Sequence, residues 1–179
     1  ELEAIPALAG EVRFGRFDLE AEGIWLDIGE DARLGGRVAG EIAVDGVIAS
    51  GALSWRFVQR PRWWAEAYAG GRYLSLDAEV EVAGLPPAGT EQRWGDPFTG
   101  LAGAWRLSDR LTLAGRADIG GFGIGSDVAW EARGQLAYRL GAHTALALGY
   151  RHLAFEYEEG GASIDVALTG PFLALDLGF

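Results

Sequence analysis

The sequence predicts an all-β fold: an eight-stranded antiparallel up-and-down transmembrane β-barrel. Three observations predict it. Apolar and polar residues alternate with period two in eight runs, which is a strand signal. The connections between runs alternate between tight turns and longer or Gly-rich loops, as in barrels with short turns at one membrane face and loops at the other. The polar face carries charges of both signs at mid-strand, an arrangement that lets opposite charges pair across neighbouring strands inside an enclosed lumen.

The runs lie near 14–28, 40–58, 63–80, 97–107, 110–121, 127–140, 144–157 and 163–179. The first places Asp18, Glu20 and Glu22 on one face and Trp25 on the other. The second carries Trp55 and Phe57 on its apolar face, and the third has Trp63 opposite in phase to Glu66 and Arg72. The fourth ends on Trp105 and Arg106. In the fifth, Leu111, Leu113, Gly115, Ala117 and Ile119 alternate with Thr112, Ala114, Arg116, Asp118 and Gly120. In the sixth, Val128, Trp130, Ala132, Leu136 and Tyr138 alternate with Glu131, Arg133, Gln135 and Arg139. A helix over 128–140 competes, because alanine, leucine and arginine favour helices, but the runs on either side alternate clearly. The seventh run carries Tyr150 and Arg151, and the eighth reads Leu173, Leu175, Leu177 and Phe179 against Ala174, Asp176 and Gly178.

The tight connections are "QRPRW" at 59–63, "LSDR" at 107–110 and "LGAHT" at 140–144. The longer ones are 29–39, 81–96 with its "PPAGTEQRWGDP", the Gly-rich stretch at 120–126, and "EEGGAS" at 158–163. Residues 1–11, "ELEAIPALAGE", are expected to form an N-terminal arm, and residues 12–179 a single barrel domain.

A chain of 179 residues suits one domain with a real core. Its net charge of -11 argues against a nucleic-acid partner. There is no cysteine, hence no disulfide framework and no thiolate chemistry. All fifteen basic residues are arginine. The first residue is Glu1, which fits a processed or trimmed chain. No apolar run reaches the ~18 residues of a membrane helix, whereas spanning strands need only about 9–11.

Alternation does not say which face points inward. A soluble ligand-binding barrel would hide its apolar face around a ligand; a membrane barrel shows it to lipid. The mid-strand charges favour the second arrangement and define a lumen network of Glu20, Glu66, Arg72, Arg106, Arg116, Asp118, Glu131, Arg133, Arg151 and Asp176. Arg116 and Asp118 share a strand and a face and read as each other's counter-charges, with Arg106 and Arg133 flanking Asp118 from the two neighbouring strands. An aromatic girdle of Trp25, Trp55, Trp63, Trp105, Tyr138, Tyr150 and Phe179 suits the headgroup zones.

The chain ends in "PFLALDLGF", which resembles the C-terminal signature of bacterial outer-membrane proteins. With "LTLAGRADIGGFGIGSDVAWEARGQLAYRL", "ALGYRHLAFEYEEGG" and "WAEAYAGGRYLSLDAEV", it resembles small proteobacterial outer-membrane β-barrels of the OmpA-type eight-stranded porin-like family. The likeness covers the chain from Ser54 onward and is faint before it. It implies residence in the bacterial outer membrane among lipid and lipopolysaccharide, contact with the barrel-assembly machinery during biogenesis, and no general catalytic residues.

Sequence signals for chemistry are thin. His143 falls in a tight turn. His152 falls on the apolar face, but "HLAF" has no serine two residues on, as lipid A-modifying barrels would require. The acidic "FEYEEGG" reads as a solvated loop rather than a calcium site, and "GGFGIG" lacks dinucleotide-loop spacing. No enzyme, metal or cofactor is expected. The expected function is a structural or surface-contact barrel with a charged, largely plugged lumen. The alternatives are a narrow pore or small apolar-molecule transporter, and the soluble ligand-binding barrel.

Overall fold

The computed structural model describes residues 5–34, 37–82, 88–159 and 162–178. Nine antiparallel strands follow one another: β1 (Ala7–Phe14), β2 (Phe17–Leu34), β3 (Arg37–Gln59), β4 (Trp63–Val82), β5 (Ala88–Arg106), β6 (Leu111–Gly121), β7 (Val128–Arg139), β8 (Thr144–Glu159) and β9 (Ala162–Leu177). Each is hydrogen-bonded to its sequence neighbours in a single up-and-down sheet. Among the described residues the ladder between β1 and β9 is missing, so the sheet is a half-barrel with an open seam. Its curl is nonetheless strong. Side chains of β2 touch those of β6, β7 and β8 across the interior.

The alternation expected over 128–140 is a strand, β7, not a helix. Two expectations are corrected. Part of the N-terminal arm is strand: β1 pairs with β2 from Ala7↔Ile24 to Phe14↔Phe17. "ALAGE" has no strong strand preference of its own; the free edge of β2 offers it a ladder, and tertiary context decides. The long connections at 29–39 and 81–96 are also largely strand, since β2 reaches Leu34, β3 starts at Arg37, β4 reaches Val82 and β5 starts at Ala88. Glycines and charges blur the alternation there, but a continuing ladder satisfies backbone groups whatever the side chains. Likewise β8 runs to Glu159 and β9 begins at Ala162 within the expected 158–163 loop.

The stretch after β6 is a compact turn. Gly121, Phe122 and Gly123 have positive φ values of 85°, 53° and 70°. Two glycines in a row of three left-handed residues make the turn accessible without repeated Cβ penalties. The Gly123 N–H donates to the Ser126 carbonyl at 3.1 Å, and the Ile124 N–H to Gly121 at 3.0 Å.

The interior has two layers along the strands. Nearer the tight turns it is ionic. Beyond Glu22, Arg72 and Arg151 the same inward phase becomes apolar: Ile24, Leu26, Ile48, Leu74, Ala129, Leu153 and Phe155 form one buried cluster. Ile24, Ile48 and Leu74 stand in one register row across β2, β3 and β4, so the change occurs together in adjacent strands. A glycine makes room where a large inward side chain needs it. Tyr68 lies opposite Gly100, and a Cβ there would come within 2.6 Å of the tyrosine ring.

Candidate functional site

Strand alternation puts polar side chains of β2, β4, β6, β7 and β8 on the concave face of the curled sheet. Ionic groups buried there require counter-charges. The innermost layer, next to the tight turns, is built on Arg56. Its guanidinium donates to Asp18 at 3.0 Å and to Glu66 at 2.9 Å, and it lies 4.2 Å from the Trp64 ring centroid. Asp18, at 1 % exposure, also accepts from Arg13 of β1 at 2.6 Å.

The next layer joins opposite walls. Arg116 on β6 reaches Glu20 on β2 at 2.9 Å, and Ser54 donates to the other oxygen of Glu20 at 2.8 Å. Arg116 also stacks on Tyr68, 4.2 Å from its centroid. Glu22 on β2 receives Arg133 and Arg151, each at 3.0 Å. Arg151 also bonds Glu131 at 3.0 Å, and Arg72 bonds the same Glu131 oxygen at 3.0 Å. Arg72 further reaches Asp118 at 3.2 Å, which accepts from the Tyr68 hydroxyl at 3.0 Å. The result is a continuous chain from Glu22 through Arg151, Glu131 and Arg72 to Asp118.

Eight of the ten expected network residues are therefore in ion pairs: Glu20, Glu66, Arg72, Arg116, Asp118, Glu131, Arg133 and Arg151. Arg106 and Asp176 are exposed near the tight turns and take no part in these pairs. The expected pairings are also corrected. Arg116 and Asp118 are not each other's counter-charges, and neither Arg106 nor Arg133 holds Asp118. Residues two apart on one strand are side by side and about 7 Å from each other, whereas curling brings β2 and β4 across the lumen. Direct register neighbours guide only the lower layer, where Arg56 stands opposite Glu66; higher up, Arg116 stands opposite Arg133, and Arg72 opposite Asp96.

Arg56, which the sequence reading did not single out, anchors the lower layer. Its inward phase beside Ser54 was the available signal, obscured by the irregular register between Arg56 and Val58. Asp96 was missed because it fell within an expected loop. Its carboxylate accepts from the Ser126 backbone N–H at 2.6 Å and the Ser126 hydroxyl at 2.7 Å. This ties the β6–β7 turn to β5, and Trp94 adds an indole bond to Ser126 at 2.9 Å.

Four buried atoms at the border of the two layers make no hydrogen bond within the described protein: Arg72 Nε and Nη1, Glu131 Oε1 and Arg151 Nε. Arg72 is partly compensated by the Phe98 ring, 4.7 Å from its guanidinium carbon. Among the described residues no group of three or more histidine or acidic residues is arranged to hold a metal.

The outer surface is the reverse of the interior. Leu101, Trp105, Leu148 and Leu173 are 59–70 % exposed. Trp55, Phe57, Trp63, Trp105 and Tyr138 encircle the tight-turn end, joined by Phe14 and Phe17. A second tier holds Trp25, Tyr73 and Trp130, also outward and exposed. Trp25 lies eight residues along β2 from Phe17, and Trp130 eight along β7 from Tyr138. Eight residues span about 26 Å of strand, or roughly 20 Å along an axis tilted by about 40°. Tyr150, expected in the girdle, lies between the tiers, opposite Gly134 and Pro171. Phe179 lies outside the described residues. His152 is outward, bonded to Thr169 at 2.7 Å and stacked on Trp130 at 4.4 Å; no acidic partner completes a catalytic set in its described contacts.

No protein-family model matches the chain, and none of the curated proteins matches it significantly.

Proposed function

We propose that the chain is an integral outer-membrane β-barrel walled by eight transmembrane strands, β2–β9, with a structural or surface-contact role and a charged, largely plugged lumen. The observation that carries this reading is the inversion of the usual burial pattern. Leucines and tryptophans cover the outside, while Asp18, Glu66, Arg72 and Glu131 are at most 3 % exposed within. Soluble proteins seldom fill their interior with charged groups and seldom expose a continuous apolar belt. Lipid makes both arrangements favourable. The two aromatic tiers, separated by nearly the height of the apolar band of such barrels, support the same reading.

In this reading the strands beyond Trp25 stand clear of the bilayer. Asp27, Asp45, Asp77 and Glu91 occupy one register row there, all exposed. Such a row belongs in water and not in hydrocarbon. The expected partners are outer-membrane lipid and lipopolysaccharide, and the barrel-assembly machinery during insertion.

The narrow-pore reading has one observation in its favour. Arg116, Glu20, Arg133, Glu22 and Arg151 keep 12–23 % side-chain exposure, so water reaches the middle of the interior. The apolar cluster closes that space on the loop side. The test has two parts. Detergent-solubilised protein should migrate faster unheated than boiled, and planar bilayers should show no steady ion current. A chain that stays folded and monomeric in plain buffer overturns the membrane reading; a stable current replaces the plug with a pore.

A further inference from the structure

The seam between β1 and β9 is where the fold and a hydrocarbon environment conflict. A spanning sheet tolerates no unpaired edge, because lipid offers backbone groups no partner. β9 has sixteen residues bonded to β8 on one side, and no ladder on the other among the described residues. β1 has only eight residues and covers β2 from Phe17 to Ile24, leaving the rest of that eighteen-residue strand without a β1 partner.

We propose that β1 is a placeholder on the edge of β2, and that the barrel closes in the membrane when β9 takes that edge and β1 is displaced. This inference rests on the membrane-barrel reading above and adds the identity of the closing pair. Four observations favour it. First, all eight β1 residues are exposed; the core contact of this segment is limited to Ile5 just before it. Second, β1 gives up one ion pair to the interior, Arg13 with Asp18 at 2.6 Å, and that carboxylate has another partner. Glu11 pairs with Arg13 within β1, and Asp18 keeps Arg56 at 3.0 Å when Arg13 leaves. Third, Ile24 of β2 belongs to the buried cluster on which Leu168 of β9 packs beside its register partner Leu153, so the two edge strands face one interior. Fourth, direction favours the exchange. In an up-and-down sheet β2 and β9 run oppositely and can form an antiparallel ladder, whereas β1 and β9 run alike and would close it in parallel, the weaker pairing per residue. The closed form then has eight strands, β2–β9.

The chain has no cysteine, so engineered pairs report without background. Outward positions near one height are Leu19 on β2, Val12 beside it on β1, and Leu173 and Leu175 on β9. A disulfide forms only where Cα atoms come within about 4.4–6.8 Å. Full-length L19C/L173C and L19C/L175C, refolded in detergent and oxidised, should yield an intramolecular cross-link in at least one pair. V12C with either β9 cysteine should yield none. The substitution Val12→Pro, which impairs β1 pairing, should leave heat-modifiable migration and the β2–β9 cross-link intact. Cross-linking from Val12 in place of Leu19, loss of the folded form in Val12→Pro, a disulfide-linked dimer, or no cross-link from either position each overturn the exchange. Failure of the membrane reading is seen separately, as a folded monomer in plain buffer.

Discussion

The two layers of the interior use the same strands and the same inward phase, yet they are held by different physics. Glu22 and Ile24 are two residues apart on β2, as are Arg72 and Leu74 on β4, and Arg151 and Leu153 on β8. On one side of that step each group must find a directional, charged partner across the lumen. On the other, Leu74 and Leu153 at 0 % exposure need only close packing. The ionic layer is therefore specific and intolerant of single losses, while the apolar layer seals the space and tolerates modest changes in shape. Where they meet, Arg72 is bonded to carboxylates on one side and stacked on Phe98 on the other.

The largest effect should come from breaking the ionic layer at that border. Arg72→Met leaves Asp118 without its guanidinium and Glu131 with Arg151 alone. Urea titration of the lipid-refolded protein should show a loss of about 3–5 kcal/mol, the cost of stranding one partner of a buried pair. Adding Asp118→Asn should restore most of it; an unchanged deficit would mean that packing on Phe98, not charge, sets the value. In the apolar layer, Leu74→Ala should cost about 2–4 kcal/mol in the same titration, with no second-site charge change able to restore it. The smallest effect is expected at the turn over the apolar layer. Ser126→Ala removes the hydroxyl that bridges Trp94 and Asp96 but keeps the backbone bond, and should cost roughly 1–2 kcal/mol. Faster amide exchange confined to 121–127 would locate that loss in the turn.

The ionic wall was legible in sequence as far as phase allows. Alternation gives inward position, and Glu20, Glu66, Arg72, Glu131 and Arg151 follow from it. Partner choice was not legible, because it depends on curvature: Arg116 finds Glu20 ninety-six residues away, not Asp118 two residues away. The apolar layer was missed for a related reason. Ile24, Leu74 and Leu153 each interrupt a polar phase on a single strand, and only the register rows show that the interruptions coincide. Arg56 and Asp96 were obscured by a register irregularity and by an expected loop. Tyr150 shares the outward phase of the girdle, and phase carries no information about height.

The period-two pattern, the all-β class, the two contrasting faces and the exclusion of thiol chemistry follow from the residues alone. These depend on residue type and local spacing, which any short stretch of chain expresses. The ninth strand, the extension of β2–β5 past the expected loops, the pairing of charges across the interior and the open seam arise from tertiary folding. Those depend on which edges and walls meet when a sheet curls, a long-range property that no single strand contains.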